Sequence, residues 1–173
     1  MQLHLLRRTT CLTIYYDFRN DWLYLDWQGH VALPALQEAC LALADCYLRR
    51  PYPRVLNNNE QVTGVSWGIA MWLVTDFLPH MAVAGVQQVA WVYSPSLQGR
   101  SMVQTIISWL PGQFLTSFDD LAGAVEWLTH TRAEQAPGYL LPQRAPADQA
   151  RLAKEVLALR QRCAAAQHKA QRV

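Results

Sequence analysis

Apolar and polar positions change period several times along this chain, and each change marks an expected element. "LTIYYDF" (12–18) is rich in β-branched and aromatic residues and reads as a strand. "WLYLDWQG" (22–29) follows after the short "RND" turn, as the second strand of a hairpin. In "LPALQEACLALADCYL" the period lengthens: Leu33, Leu36, Cys40, Leu43 and Tyr47 share one face at three- and four-residue steps, with Gln37, Glu38 and Asp45 off it. That is an amphipathic helix, Pro34 being tolerated in its first turn and "RPYP" stopping it. "RVLNNN" (54–59) reads as a short strand, and "VSWGIAMWLVTDFL" (65–78) as a second helix bent or ended by Pro79. A strand at 86–94 and a helix at 97–110, with Val103, Ile106, Ile107 and Leu110 inward, come next. A strand at 113–118 and a helix at 119–130, with Leu121, Ala124, Val125 and Leu128 inward, close the series.

The expected order is therefore β-β-α-β-α-β-α-β-α, an α/β arrangement. After the opening hairpin, strands alternate with helices, which calls for right-handed crossovers and a mostly parallel sheet covered by helices. A Pro-containing linker (131–146) separates this body, residues 11–130, from a C-terminal amphipathic helix at 147–168. In that last helix Leu152, Val156, Leu159, Cys163, Ala166 and Ala170 form an a/d-like seam. Arg151, Lys154, Arg160, Arg162 and Lys169 make a basic outer face. So short a helix is marginal alone, and it is expected to dock on its own domain or on a second copy.

Composition narrows the class. With 51% hydrophobic and 16% charged residues in 173, the chain reads as one folded domain plus an appendage. Lys and Arg number 8 against 11 Asp and Glu in residues 1–143, but 7 against 2 from 144 onward. The picture is a weakly acidic body with a basic tail. No run is long enough to span a bilayer, and Met1–Thr10 lacks the apolar stretch of a secretory signal. Cys11, Cys40, Cys46 and Cys163 show no C-x-x-C spacing, so reduced thiols and a cytoplasmic location are expected.

The quoted segments "LYLDWQGHV", "RVLNNN" with the Trp-containing helix after it, "LPHMAVAGVQQVAWVYS" and "FDDLAGAVEWL" resemble the STAS domain superfamily. The likeness is to the stand-alone SpoIIAA-like branch, sometimes grouped with Sec14-type lipid-binding domains, and it covers about residues 11–130. It implies a SpoIIAA-like fold. Members include phosphorylation-switched partner proteins, nucleotide or lipid binders and uncharacterised domains. In the switched members a serine or threonine lies where the third strand enters the second helix, the region of Thr63 and Ser66 here. A phosphate there would meet the N–H groups of a helix N-terminus. The Asp-Ser-Ser-Gly-Leu-Gly type of motif is absent.

The candidate chemistry is sparse. Gly64-Val65-Ser66-Trp67-Gly68 fits the G-x-S-x-G nucleophile elbow. The polar residues 57–63 before it read as a loop rather than a strand, and His80 and His130 fall at helix ends. The simpler reading has Thr63 or Gly64 capping the helix and Gly68 allowing close packing. Asn57, Asn58 and Asn59 either close the strand or, with Thr63, Tyr93 and Ser94, line a crevice beyond the strand ends. Trp67, Met71, Val74, Leu78 and Met81, extended by Ile69, Leu73 and Phe77, give the second helix an apolar arc of about 200°, against ~100° for a surface helix. A partner subunit, a lipophilic ligand or another part of the chain must cover it. Asp119 and Asp120 read as helix caps rather than a catalytic pair.

No cofactor or metal is expected, because His4, His30, His80, His130 and His168 are scattered. Nucleic acid is an unlikely partner, because none of the seven tryptophans is interleaved with Lys or Arg. Three roles follow. The leading one is a non-enzymatic binding or regulatory domain, with a small lipophilic ligand or protein partner near the start of the second helix. Asn57, Asn59, Thr63, Trp67, Tyr93 and Ser94 are its candidate contacts, and Thr63 or Ser66 its candidate phosphorylation sites. The alternatives are a small serine hydrolase using Ser66, and a structural dimerisation module built on the second and C-terminal helices.

Overall fold

Residues 1–66, 68–109, 114–133 and 144–170 are described by a computed structural model. Among them β1 (Leu3–Arg8), β2 (Leu12–Asp17), β3 (Trp22–Val31), β4 (Arg54–Val65), β5 (Gln88–Val92) and β6 (Leu115–Phe118) form one sheet in that order. The helices are α1 (Leu33–Arg49), α2 (Ile69–Trp72), α3 (Leu78–Val83), α4 (Leu97–Trp109), α5 (Leu121–Ala133) and α6 (Pro146–Ala170). A π-helical turn, Leu73–Phe77, joins α2 to α3. The pairs β1–β2 and β2–β3 are antiparallel, and β3–β4, β4–β5 and β5–β6 are parallel. The sheet is mixed and mostly parallel, as the alternation of elements predicts.

Each parallel crossover steps the same way across the sheet, so right-handed connections lay α1, α2–α3 and α4 on one face. Period-two alternation sends Leu23, Leu25, Trp27, Val55, Val89 and Trp91 to that face, into the larger core. Trp22, Tyr24, Leu56, Ala90 and Val92 point the other way, against Ala124 and Leu128 of α5. Asp120 accepts from Gly123 N–H at 2.8 Å and caps α5, while Asp119 pairs with Arg100.

Five readings from the sequence are corrected. β1 precedes the hairpin, tied to it through the buried Asp17 carboxylate, which accepts from Gln2 N–H at 3.1 Å. β4 runs to Val65, so residues 57–63 are strand and not a polar loop; pairing with β3 extends past the asparagines to His30–Gly64 and Val31–Val65. Neither Thr63 nor Gly64 caps the second helix. Gly68 does, at φ +85, where a side chain would be strained. Pro79 does not end the helix: it sits in the first turn of α3, directly after the π turn that interrupts the helix. Gln37, placed off the buried face of α1, is itself buried, on a helix that α6 also packs against.

The π turn explains why the apolar arc was too wide. One extra residue in a turn rotates everything after it by about 100° around the axis. Ile69, Leu73 and Phe77 are buried, and the series then continues from Leu78 and Met81. Met71, in the same expected stripe, is left 54% exposed.

Much of the remaining cover comes from α6, which packs on α1 and α3 of its own chain. Leu152, Val156, Leu159 and Cys163 of the seam are buried; Ala166 is exposed, and Ala170's side chain lies outside the described residues, as does Leu110. Arg144 donates to the carbonyls of Tyr47 at 2.9 Å and Ala84 at 2.8 Å, and Gln149 donates to Leu48 O at 2.9 Å. Those are C-terminal carbonyls of α1 and α3 with no partner inside their helices. Part of the basic face meets the acidic body: Arg160 pairs with Asp45, and Arg162 with Asp76 at 2.9 Å.

His80 lies under this helix. Its Nε2 is 3.3 Å from the Arg162 guanidinium, which can only donate, so the neutral ring accepts there. Its Nδ1 faces Glu155 at 3.9 Å. Burial pushes its pKa below the ordinary 6.5; Glu155 and Asp76 oppose that and Arg162 reinforces it. The folded state thus takes up this proton at lower pH than the unfolded chain. His80 leaves stability unchanged above the ordinary value and erodes it as pH drops below, levelling off under the folded value. Denaturant midpoints from about pH 8 to about pH 5 should fall less in His80→Gln than in the native chain. Parallel curves would mean that His80 does not contribute.

Candidate functional site

A cavity lies between the sheet and the helices of its larger core. β3 supplies Leu25, Trp27 and Val31, and α1 supplies Leu36, Cys40 and Leu43. β4 contributes Val55, Asn57, Asn59, Val62 and Val65, and β5 contributes Val89 and Trp91. The roof is Ile69, Leu73, Phe77, Leu78 and Met81, carried across the π turn. Met102 and Leu115 complete the lining. No lining residue is charged. Cys40 is a neutral thiol, its pKa held well above the ordinary value by burial first, then by Cys11 and Cys163. All four cysteines are buried free thiols.

The enclosed space measures about 50 Å³. A cavity of ~150 Å³ is known to hold benzene in a protein core. As it stands this one is a narrow apolar slot, and a ring-sized guest has to widen it. In the roof the π turn breaks the regular helical ladder.

Polar groups enter from the sheet side. Trp27 Nε1–H donates to Asn57 Oδ1 at 2.8 Å, which fixes the amide's orientation, since an indole nitrogen only donates. Asn57 Nδ2 is then left with no hydrogen-bond partner, and so is Trp91 Nε1. Asn57 and Trp91 are register partners across β4 and β5. Asn59 Nδ2 is satisfied by Val92 O at 2.8 Å, and Asn58, on the opposite face, by Tyr24 Oη at 3.1 Å.

The structure brings together some of the candidate residues and separates others. Asn57 and Asn59 line the cavity, and Ser94 lines a small annex beside it with Asn59, Trp91 and Gly99. The Ser94 and Ser96 hydroxyls lie 3.1 Å apart, Ser96 capping α4 through Gly99 N–H. A Cβ at Gly99 would overlap the Ser94 hydroxyl. Tyr93 is not in the lining; its hydroxyl donates to Ser117 Oγ at 2.9 Å and Arg100 lies over its ring. Thr63 is exposed in a shallow surface hollow with Glu60, Gln61 and Ser96. It belongs to β4, six residues before α2, so it does not stand at a helix N-terminus. Trp67 lies outside the described residues. The cavity therefore lies under the helices, with Asn57 and Asn59 in its lining and Thr63 and Tyr93 outside it.

Ser66 follows β4 directly, so the strand-turn-helix setting of an elbow is present after all. The strain is not. Among the described residues Asp21 is the one non-glycine with positive φ, and Ser66 N–H bonds to Val31 O at 3.1 Å. His80 is engaged with Arg162, and His130 with Glu126 O on α5, behind the sheet. Both rings are thus engaged elsewhere, whereas a general base must hydrogen-bond its nucleophile.

Trp91, Trp27 and Met102 were not among the candidate residues. The alternation of β3 and β4 places Trp27 and Asn57 on one face, but opposing Asn57 to Trp91 requires the strand register. Among the described residues no cluster of metal-ligating side chains occurs, and no helix is long and apolar enough to cross a membrane.

No family model matches the chain, and no curated protein does. Among solved structures it is similar to an uncharacterised protein of the DUF3478 family with a SpoIIAA-like fold from Shewanella loihica PV-4. Identity is 16%, the match covers 73% of this chain and 91% of that one, and the TM-score is 0.46.

Proposed function

We propose that this chain is a non-enzymatic binding domain for a small lipophilic molecule held between the sheet and the α2–α3 roof. The observation that carries the reading is an uncharged apolar cavity, floored by a rigid sheet and roofed by a helix interrupted at a π turn. Burial of apolar ligand surface supplies the affinity, at about 25 cal/mol per Å² before the cost of widening the slot. The dimerisation reading is less favoured, because Leu152, Val156, Leu159 and Cys163 of the α6 seam are already buried within their own chain.

Cyclohexane, an apolar probe without polar atoms, tests this. At ten times its Kd, linkage stabilises the fold by about 1.4 kcal/mol, or about 3–6 °C in Tm for a chain of this length. A Leu73→Trp variant, which fills the roof, should lose that shift. If cyclohexane up to saturation leaves the native melting curve in place, the cavity is only a packing void.

A further inference from the structure

We infer that the ligand carries one neutral hydrogen-bond acceptor, a ketone, ester or amide carbonyl, seated on Asn57 Nδ2 and Trp91 Nε1. The inference rests on the cavity being a ligand site and names the chemistry that site selects. Both side chains line it, at 4% and 9% exposure, and both nitrogens are buried without a partner. A buried donor with nothing to bond is costly, and two side by side on neighbouring strands under one cavity point to a missing acceptor. The Trp22 indole is also unpaired, but it lies on the other face of the sheet and lines no such space.

The charge of the acceptor follows from the surroundings. No Lys, Arg or His lines the cavity, so a carboxylate or phosphate would enter with two neutral donors and no counter-charge. Desolvating an anion there costs far more than two such bonds return. Both unpartnered groups beside each other on the sheet are donors, and Asn57 Oδ1 already takes the Trp27 N–H, so an acceptor is the group they call for. What remains is an apolar body with a carbonyl edge, its oxygen toward the sheet and its hydrocarbon under Leu73 and Phe77.

The test compares cyclohexane, cyclohexanone and cyclohexanecarboxylate by titration into ¹⁵N-labelled full-length protein. Cyclohexanone should move the Trp91 Nε1–H and Asn57 Nδ2 proton resonances downfield, and cyclohexane should not. Trp91→Phe, which keeps an aromatic floor without the donor, should weaken cyclohexanone about fivefold and leave cyclohexane unchanged. If both bind but the ketone leaves those two resonances unmoved, the cavity reading stands and the acceptor inference is overturned. Tighter binding by the carboxylate overturns neutrality. If none of the three binds, the cavity reading falls and this inference with it. The native protein's resonances decide the matter even if the variant folds poorly.

Discussion

Deleting the chain after Arg144 should abolish the cooperative fold. The deletion removes Leu152, Val156 and Leu159, all buried, at about 1.5–3 kcal/mol of burial each. That sum, about 5–9 kcal/mol, is comparable to the whole stability of a typical domain. The loss is larger than the helix's own share, because apolar surface on α1 and α3 is uncovered and Leu48 O loses Gln149. Thermal melting by circular dichroism should show no sharp transition, and a hydrophobic dye should bind where α6 had lain. Leu159→Ala offers the milder form, a loss of about 2–5 kcal/mol with the fold retained. A truncated chain melting within a few degrees of the full one would show α6 to be a free appendage.

Replacing Arg54 with methionine should cost about 3–5 kcal/mol, the second largest effect. Arg54 opens β4 on the α5 face and is 2% exposed. Its guanidinium donates to Leu128 O at 2.8 Å, to Asn20 O and to Asp21 O, and lies over the Trp22 ring. One side chain thereby joins the β2–β3 turn, the sheet and α5. Methionine fills much of the volume but leaves those carbonyls without the donor. Arg54→Lys keeps the charge yet cannot fork to both sides, so it should fall between the two. Urea midpoints at constant m-value measure this. A methionine variant as stable as the native chain would mean that these carbonyls find water instead.

Both effects arise where the sequence was only partly informative. The seam of α6 was legible from its spacing, because helical periodicity depends on near neighbours alone. Its choice of surface was not, since α1 and α3 come together only after the sheet has formed. Arg54 looked like any charged residue at the start of a strand. Nothing local signals that a chain segment 74 residues away presents a carbonyl to it.

The site divides the same way. Asn57 and Asn59 stood out because three asparagines in a row are unusual for a strand, yet that oddity first suggested a turn. Their polar run continues as strand because β3 pairs with it as far as Val65 and satisfies its backbone. Ser66 matched a catalytic pattern, but a nucleophile is made by a base and a strained turn that a five-residue pattern cannot guarantee. The π turn was invisible as well. It appears as an apolar arc too wide for one helix, and only packing on both sides settles which residues rotate inward.

The sequence by itself determined the alternation of strands and helices after the hairpin, the mostly parallel sheet, the main inward positions of α1, α4 and α5, and the amphipathic character of α6. Periods of two and 3.6 are properties of neighbouring residues, and apolar burial enforces them wherever the chain goes. Only the tertiary structure decided that β1 joins the sheet, that α6 turns back on its own domain, and that Asn57 lies beside Trp91 on the floor of an apolar slot. Those outcomes depend on strand register and on which distant surfaces meet. They are set by competition among all the apolar faces of the chain, to which no single segment holds the answer.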